Sequence, residues 1–223
     1  MKTAIQLVLI YFGFLQILAP MLMVVPCIIY LLATTGAVDK DSLMQMIIIP
    51  AQMTGILLMV IYLWKAGYIS KEKTTWSAVS PSYLGLSVVS LLSCSWLVST
   101  LISHMEWLPN IMEQTFDILQ SGWGGILAIA VAGPVLEELL FRGAITKALL
   151  KQYDPAKVIL ISAFIFGIFH INPIQVVAAF LIGLLLAWVY YKTASLLPCI
   201  LMHILNNIIS VYLNITVSYT HLT

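Results

Sequence analysis

An all-α bundle of about seven membrane-spanning helices is the fold class this sequence predicts, and three observations carry it. The 223 residues are 61% hydrophobic and only 9% charged, with a mean hydropathy of +1.04, far outside the range of soluble globular domains. Several apolar runs approach or exceed the ~20 residues a helix needs to cross the hydrocarbon core. No segment shows the alternating pattern of about 10 residues that marks a membrane β-barrel strand. The lipid bilayer is thus the first partner implied. A formal net charge of +1 offers no basic surface, so no nucleic-acid partner is expected.

Taken in order, the apolar runs predict helices near 4–34, 43–64, 83–104, 122–151, 155–170, 173–191 and 196–215. The first is longer than one crossing needs and contains Pro20 and Pro26, which predict a kink or tilt. It lacks a small-residue cleavage site and reads as a retained anchor, not a signal peptide. Between the third and fourth runs, 105–121 (MEWLPNIMEQTFDILQS) mixes acids with scattered apolar residues and predicts an amphipathic surface piece. A turn near Gln152–Asp154 separates the fourth and fifth helices, with Asp154 as N-cap and Pro155 at the first helical position. Cys27, Cys94 and Cys199 fall in separate runs without metal or disulfide spacing and read as packing residues.

Basic residues orient this arrangement independently of hydropathy. With a cytoplasmic N-terminus, Lys2, Lys65, Lys71, Lys73, Arg142, Lys147, Lys151, Lys157 and Lys192 fall on the inner side and only Lys40 outside, as the positive-inside rule requires. No internal repeat is visible. The chain divides into N-terminal transmembrane helices at 1–120 and a helical core at 121–216 that carries the unusual polar residues. The last seven residues, VSYTHLT at 217–223, resemble the translated end of a library-preparation adaptor and are set aside, His221 included.

The fourth helix contains GPVLEELLFRGA at 133–144. A charge at the bilayer centre costs roughly 2.5–3.5 kcal/mol, against roughly 0.3–0.6 returned by each large apolar residue. Glu137, Glu138 and Arg142 must therefore be paired, or face protein or a wet cavity. Glu138 and Arg142 are one turn apart and form an ion pair. Glu137 points about 100° away and has no local cation. Pro134 removes a backbone donor and is expected to free the carbonyl of Ala130.

Glu137 lies about 16 residues before the 152–154 turn and His170 about 16 after it, or about 25 Å along each helix, so the two share one depth. In the last helix His203 and Asn207 are one turn apart on one face, and Asn206 faces elsewhere. His104 ends the third helix and needs no chemical role. One carboxylate, two imidazoles and an amide converging in a membrane suit hydrolysis: Glu137 as general base on a water, His170 holding that water, His203 and Asn207 stabilising an oxyanion. Glu137, His170 and His203 would equally form a ligand set for a divalent metal such as zinc. Spacing leaves both open.

EELLFRG at 137–143, FGIFH at 166–170 and HILNN at 203–207 resemble the EExxxR, FxxxH and HxxxN motifs of the CAAX-protease and bacteriocin-processing (CPBP, or Abi) family of intramembrane proteases. All three occur in order on successive helices, within about residues 120–215. The resemblance implies a catalytic core at 121–216 and an endopeptidase acting on a peptide or protein at the membrane. It implies Glu137 as catalytic base, Glu138 and Arg142 as its support, His170 working on the water, and His203 with Asn207 as the oxyanion hole. Relatives are described both as metalloproteases and as metal-free glutamate proteases; bacterial ones are linked to bacteriocin self-immunity. With the adaptor-like tail, this implies a multi-pass protein of the bacterial cytoplasmic membrane. Two other classes compete: a non-catalytic immunity or scaffold protein that keeps the polar site, and a proton-coupled transporter using Glu137. The absence of repeated halves and paired broken helices disfavours transport.

Overall fold

The structure is a computed structural model that describes residues 1–220, with side chains through Ile215. His221 and the end of the 217–223 tail lie outside the described residues. Eight helices organise the chain: α1 Lys2–Thr35, α2 Lys40–Lys65, α3 Pro81–Ser103, the short α4 Glu113–Gln120, α5 Trp123–Leu149, α6 Pro155–Phe169, α7 Pro173–Thr193 and α8 Leu197–Thr220. No strand occurs among the described residues. Six of the helices are long and apolar enough to cross a membrane. They match the predicted spans closely. The amphipathic segment yields α4, which buries Leu119 and leaves Glu113 and Asp117 exposed.

The seventh predicted span, α6, has 15 residues. At 1.5 Å per residue it is about 22 Å long, short of the ~30 Å hydrocarbon thickness. Its C-terminal end, where His170 sits, therefore need not reach the far surface. Asp154 caps its start by accepting from the backbone N–H groups of Ala156 and Lys157. α6 and α7 then pack along each other as a tight hairpin, α1 pairs with α2, and α3 lies against α7 and α8. α5 runs through the middle, touching α1, α2, α6, α7 and α8.

The loops sort to two ends, as alternating crossings require. At one end, Lys147 Nζ of α5 reaches Glu72 Oε2 at 2.8 Å and Ser70 Oγ at 3.1 Å. The Leu196 N–H donates to the Thr75 carbonyl there, and Ser195 Oγ donates to Ser77 O. At the other end, Asn172 between α6 and α7 bonds Asn110 and Ile111 between α3 and α4.

In α1 the Pro20 effect is local. A wide π-type segment at Gly13–Leu18 precedes the proline, and the Ala19 N–H bonds Phe14 O five residues back. The widened turn spaces the carbonyls around a residue that has no donor.

Candidate active site

α5 shows the same device where it matters more. Ala128–Ala132 is wound as a π-type turn, with the Gly133 N–H bonding Ala128 O five residues back. Continued one residue, that register asks Pro134 to serve the carbonyl of Ile129, and proline has no N–H. The orphaned carbonyl is thus Ile129, not Ala130, because the helix is overwide at this point. Asn207 Nδ2 of α8 donates to it at 2.9 Å. A second wide segment, Leu139–Thr146, carries Arg142 and is buried throughout. Such π-bulges concentrate at functional sites.

Glu138 and Arg142 are both fully buried, and their ion pair forms with Arg142 Nη1 2.6 Å from Glu138 Oε1. The guanidinium also donates from Nη2 to Gly183 O at 3.3 Å and lies 4.6 Å from the centre of the Phe166 ring. Glu138 Oε1 accepts a second bond, from His203 Nδ1 at 2.8 Å. Gly183 and the His203–Glu138 bond were not legible from spacing along one helix. Together these contacts neutralise the pair and orient the imidazole.

Glu138 Oε2 and Arg142 Nε are buried without a partner among the described residues, and Glu137 adds a third such atom to this group. Its Oε2 lies 3.9 Å from His170 Nε2 and 3.8 Å from His203 Nε2, and it has no hydrogen-bond partner among the described residues. Hydrogen bonding fixes both tautomers. His170 Nδ1 is 2.8 Å from the Phe166 carbonyl and His203 Nδ1 is 2.8 Å from the Glu138 carboxylate. Both partners accept, so each Nδ1 carries a hydrogen and each ring turns its Nε2 towards Glu137. For His203 to act as the expected oxyanion donor, its ring must be protonated; neutral, it accepts. Phe166 sets both rings, meeting His170 at 4.9 Å and His203 at 5.7 Å edge-on.

His170 closes α6, and the next residue, Ile171, has φ 60°. A β-branched side chain in the left-handed region is strained by about 1–3 kcal/mol. Buried Asn172 holds that conformation: its N–H donates to His170 O at 2.6 Å, its Nδ2 donates to Asn110 Oδ1 at 2.8 Å, and its Oδ1 accepts from the Ile111 N–H at 3.1 Å. Asn172 was missed in the sequence, where the Asn-Pro pair at 172–173 was the available turn signal.

The structure thus brings Glu137, His170 and His203 together directly, with Glu138 and Arg142 behind His203. Asn207 lies one turn further along α8, tied to Ile129. Its Oδ1 is 3.4 Å from Asn206 Nδ2, and Asn206 Oδ1 accepts from Ser95 Oγ of α3 at 2.8 Å. Among the described residues, the second Asn207 amide hydrogen has no acceptor. His104 is exposed at the end of α3, against the Thr100 carbonyl.

Among the described residues no group of three or more His, Cys, Asp and Glu side chains has the spacing to hold a metal ion. Glu137, His170 and His203 have suitable donor atoms, and both imidazoles have the outer hydrogen bonds typical of metal ligands. Their separations of 3.8 and 3.9 Å exceed the roughly 3.3 Å between neighbouring ligands of a tetrahedral zinc.

Residues 119–209 match the family model described as Rce1-like, type II CAAX prenyl endopeptidase Rce1-like. That segment, 91 of the 223 residues, is similar to this family. All three motifs, from Glu137 to Asn207, fall inside this Rce1-like unit, and α1 to α3 fall outside it. No curated protein and no solved structure matches the chain.

Proposed function

We propose that this protein is an intramembrane endopeptidase that hydrolyses a peptide bond with a water activated by Glu137. The observation that supports this reading best is the unpartnered Glu137 Oε2 between the two Nε2 atoms. A buried carboxylate oxygen without a donor is costly unless something else occupies the space beside it. A water there has three acceptors to choose from. Glu137 takes one of its protons as the oxygen attacks the carbonyl carbon; the second hydrogen is donated to one of the two imidazole Nε2 atoms, which holds the water in place. The tetrahedral oxyanion collapses with cleavage of the C–N bond, and Glu137 returns the proton to the departing amine. The free Asn207 amide hydrogen stabilises the oxyanion. Glu138 and Arg142 position His203. A divalent ion held by Glu137, His170 and His203 would supply Lewis-acid activation of the same water.

The lysine distribution supports a cytoplasmic N-terminus in a bacterial inner membrane: Lys65, Lys71, Lys73, Lys147, Lys151 and Lys192 all lie by the loop end where Lys147 meets Glu72. The test is cleavage of a peptide library by the purified full chain in detergent, read by mass spectrometry, with Glu137→Ala in parallel. Cleavage by the native chain and none by the variant is the expected result. Equal cleavage by both sinks the glutamate mechanism, and no cleavage by either favours a scaffold or immunity role. A chelator series in the same assay distinguishes the metal-assisted scheme, which loses activity, from the metal-free one, which keeps it.

A further inference from the structure

A serine or threonine on a membrane helix has an easy partner, the carbonyl one turn back on its own helix. On α3, Ser90, Ser93 and Thr100 take it, donating to Leu86 O at 2.9 Å, Val89 O at 2.9 Å and Trp96 O at 3.0 Å. Ser95 does not. Its hydroxyl crosses to α8 and donates to Asn206 Oδ1 at 2.8 Å.

From there the bonds run on in one direction. Asn206 Nδ2 donates to Asn207 Oδ1 at 3.4 Å, and Asn207 Nδ2 donates to Ile129 O at 2.9 Å. The polarity is set at the far end: a carbonyl only accepts, so Asn207 turns its amide nitrogen to Ile129 and its oxygen to Asn206. Asn206 then turns its nitrogen to Asn207 and its oxygen to α3, where the partner must donate. A hydroxyl meets that requirement. Of the two hydrogens on Asn207 Nδ2, one goes to Ile129 and the other has no acceptor among the described residues. The Glu137 carboxylate lies back over Gly133, where an added Cβ would stand 3.9 Å from Oε1, and Gly133 is about one turn from Ile129 on α5.

A hydrogen bond between membrane helices commonly serves only to hold them together. This one also decides a direction. Bonded at both Oδ1 and Nδ2, the Asn207 amide has a fixed plane, and each donation along the chain polarises the next donor. Bonded at Nδ2 alone, it can turn about that bond.

We propose that Ser95 is a positioning residue of the hydrolytic site, which through Asn206 fixes the plane and polarity of the Asn207 amide and so aims its second hydrogen. This rests on the hydrolytic reading above, in which that hydrogen meets the oxyanion. It brings α3 into the site, although the family-matched segment begins at Leu119.

With a peptide cleaved by the native protein, Asn207→Ala is expected to lower kcat by about 10²-fold, the scale for loss of one oxyanion donor. Ser95→Ala keeps that donor and loosens it, so kcat is expected to fall by about 10-fold with KM unchanged. In the Asn207→Ala background, Ser95→Ala is expected to cost nothing further, because it has nothing left to orient. A bond that only ties α3 to α8 gives the same loss in both backgrounds. That result, or a kcat of Ser95→Ala within twofold of native, overturns the proposal. A second measurement needs no turnover. In protein labelled with ¹⁵N-asparagine, the side-chain amide pair lost in Asn207→Ala belongs to Asn207, and Ser95→Ala is expected to shift it. An unmoved pair overturns the proposal. A shifted pair in a protein that cleaves no peptide supports the positioning of Asn207 by Ser95 while counting against the protease reading itself.

Discussion

α1 and α5 are both apolar enough to cross a bilayer, yet 17% of the best window of α1 is buried against 56% of that of α5. On α1, Ile5, Leu9, Met21, Val25 and Ile29 stand exposed on the outer surface, where hydrocarbon is a sufficient neighbour. On α5, Leu136, Leu140, Phe141 and Ile145 are enclosed by protein, and so are Glu138 and Arg142. Charge is tolerated on the helix that protein surrounds and absent from the middle of the helix that lipid surrounds. Within α5 the contrast repeats on adjacent residues. Glu138 Oε1 is held by Arg142 and His203 at 2.6 and 2.8 Å, whereas Glu137 Oε2 has only imidazole nitrogens beside it, at 3.8 and 3.9 Å.

That last contrast yields the largest expected effects. Glu138→Gln leaves Arg142 buried without its counter-charge, which costs about 3–5 kcal/mol for a buried pair, so both Tm and activity should fall. Glu137→Gln removes no hydrogen bond from Oε2, so Tm should hold or rise while hydrolysis drops by 10³-fold or more, in the pattern of sites that trade stability for function. Thermal melts in detergent and peptide hydrolysis read the two quantities. A Tm loss of the same size in both variants would erase the distinction between a structural and a chemical carboxylate.

Glycines sharpen the comparison between halves at a smaller scale. A Cβ on Gly167 of α6 would meet Val176 O at 2.9 Å and the Phe180 Cβ at 3.0 Å, where α6 packs against α7. Backbone cannot move aside cheaply, so Gly167→Ala should destabilise by about 1–3 kcal/mol. Because Phe166 and His170 ride on that helix, catalysis should fall with it. Gly85 on α3 has nothing within 4 Å. Gly85→Ala should be neutral or stabilising by about 0.5–1 kcal/mol. Paired melts of the two variants decide; a neutral Gly167→Ala would show that the α6–α7 hairpin has slack.

Spans, caps and the pairing of Glu138 with Arg142 were legible because they depend on residues close in sequence. Hydropathy finds α1 and α7, Asp154 announces the start of α6, and an i,i+4 spacing gives the ion pair. The shared depth of Glu137 and His170 was also readable, since two helices from one turn keep equal lengths. The identity of the orphaned carbonyl was not: it turns on whether α5 is wound in steps of four or five at Ala128–Ala132, and hydrophobic pattern does not report that. Nor were Gly183 and Ser95 visible as neighbours of the polar group, because their contacts join helices distant in sequence. Asn172 sat beside a clear Asn-Pro signal, but its burial comes from the 110–111 segment folding over it.

The smallest expected effect lies at the loop end, between the two halves, where Glu72 meets Lys147. Its hydrogen bond from Lys147, and then the charge of that lysine, hold the Glu72 carboxyl below its ordinary value. A lowered folded-state value means the stabilisation is complete above the usual glutamate range near pH ~4.3 and is lost as pH falls through the folded value. Both side chains are partly exposed, so the contribution is modest and screened by salt. The Tm difference between native protein and Glu72→Gln should therefore be small at pH 7, shrink further in ~1 M salt, and vanish in acid. A difference that survives acid and salt would mean that Glu72 acts on the 66–80 loop through packing and not through charge, and the lysine-rich end would then be held to α5 by Leu196–Thr75 and Ser195–Ser77 instead.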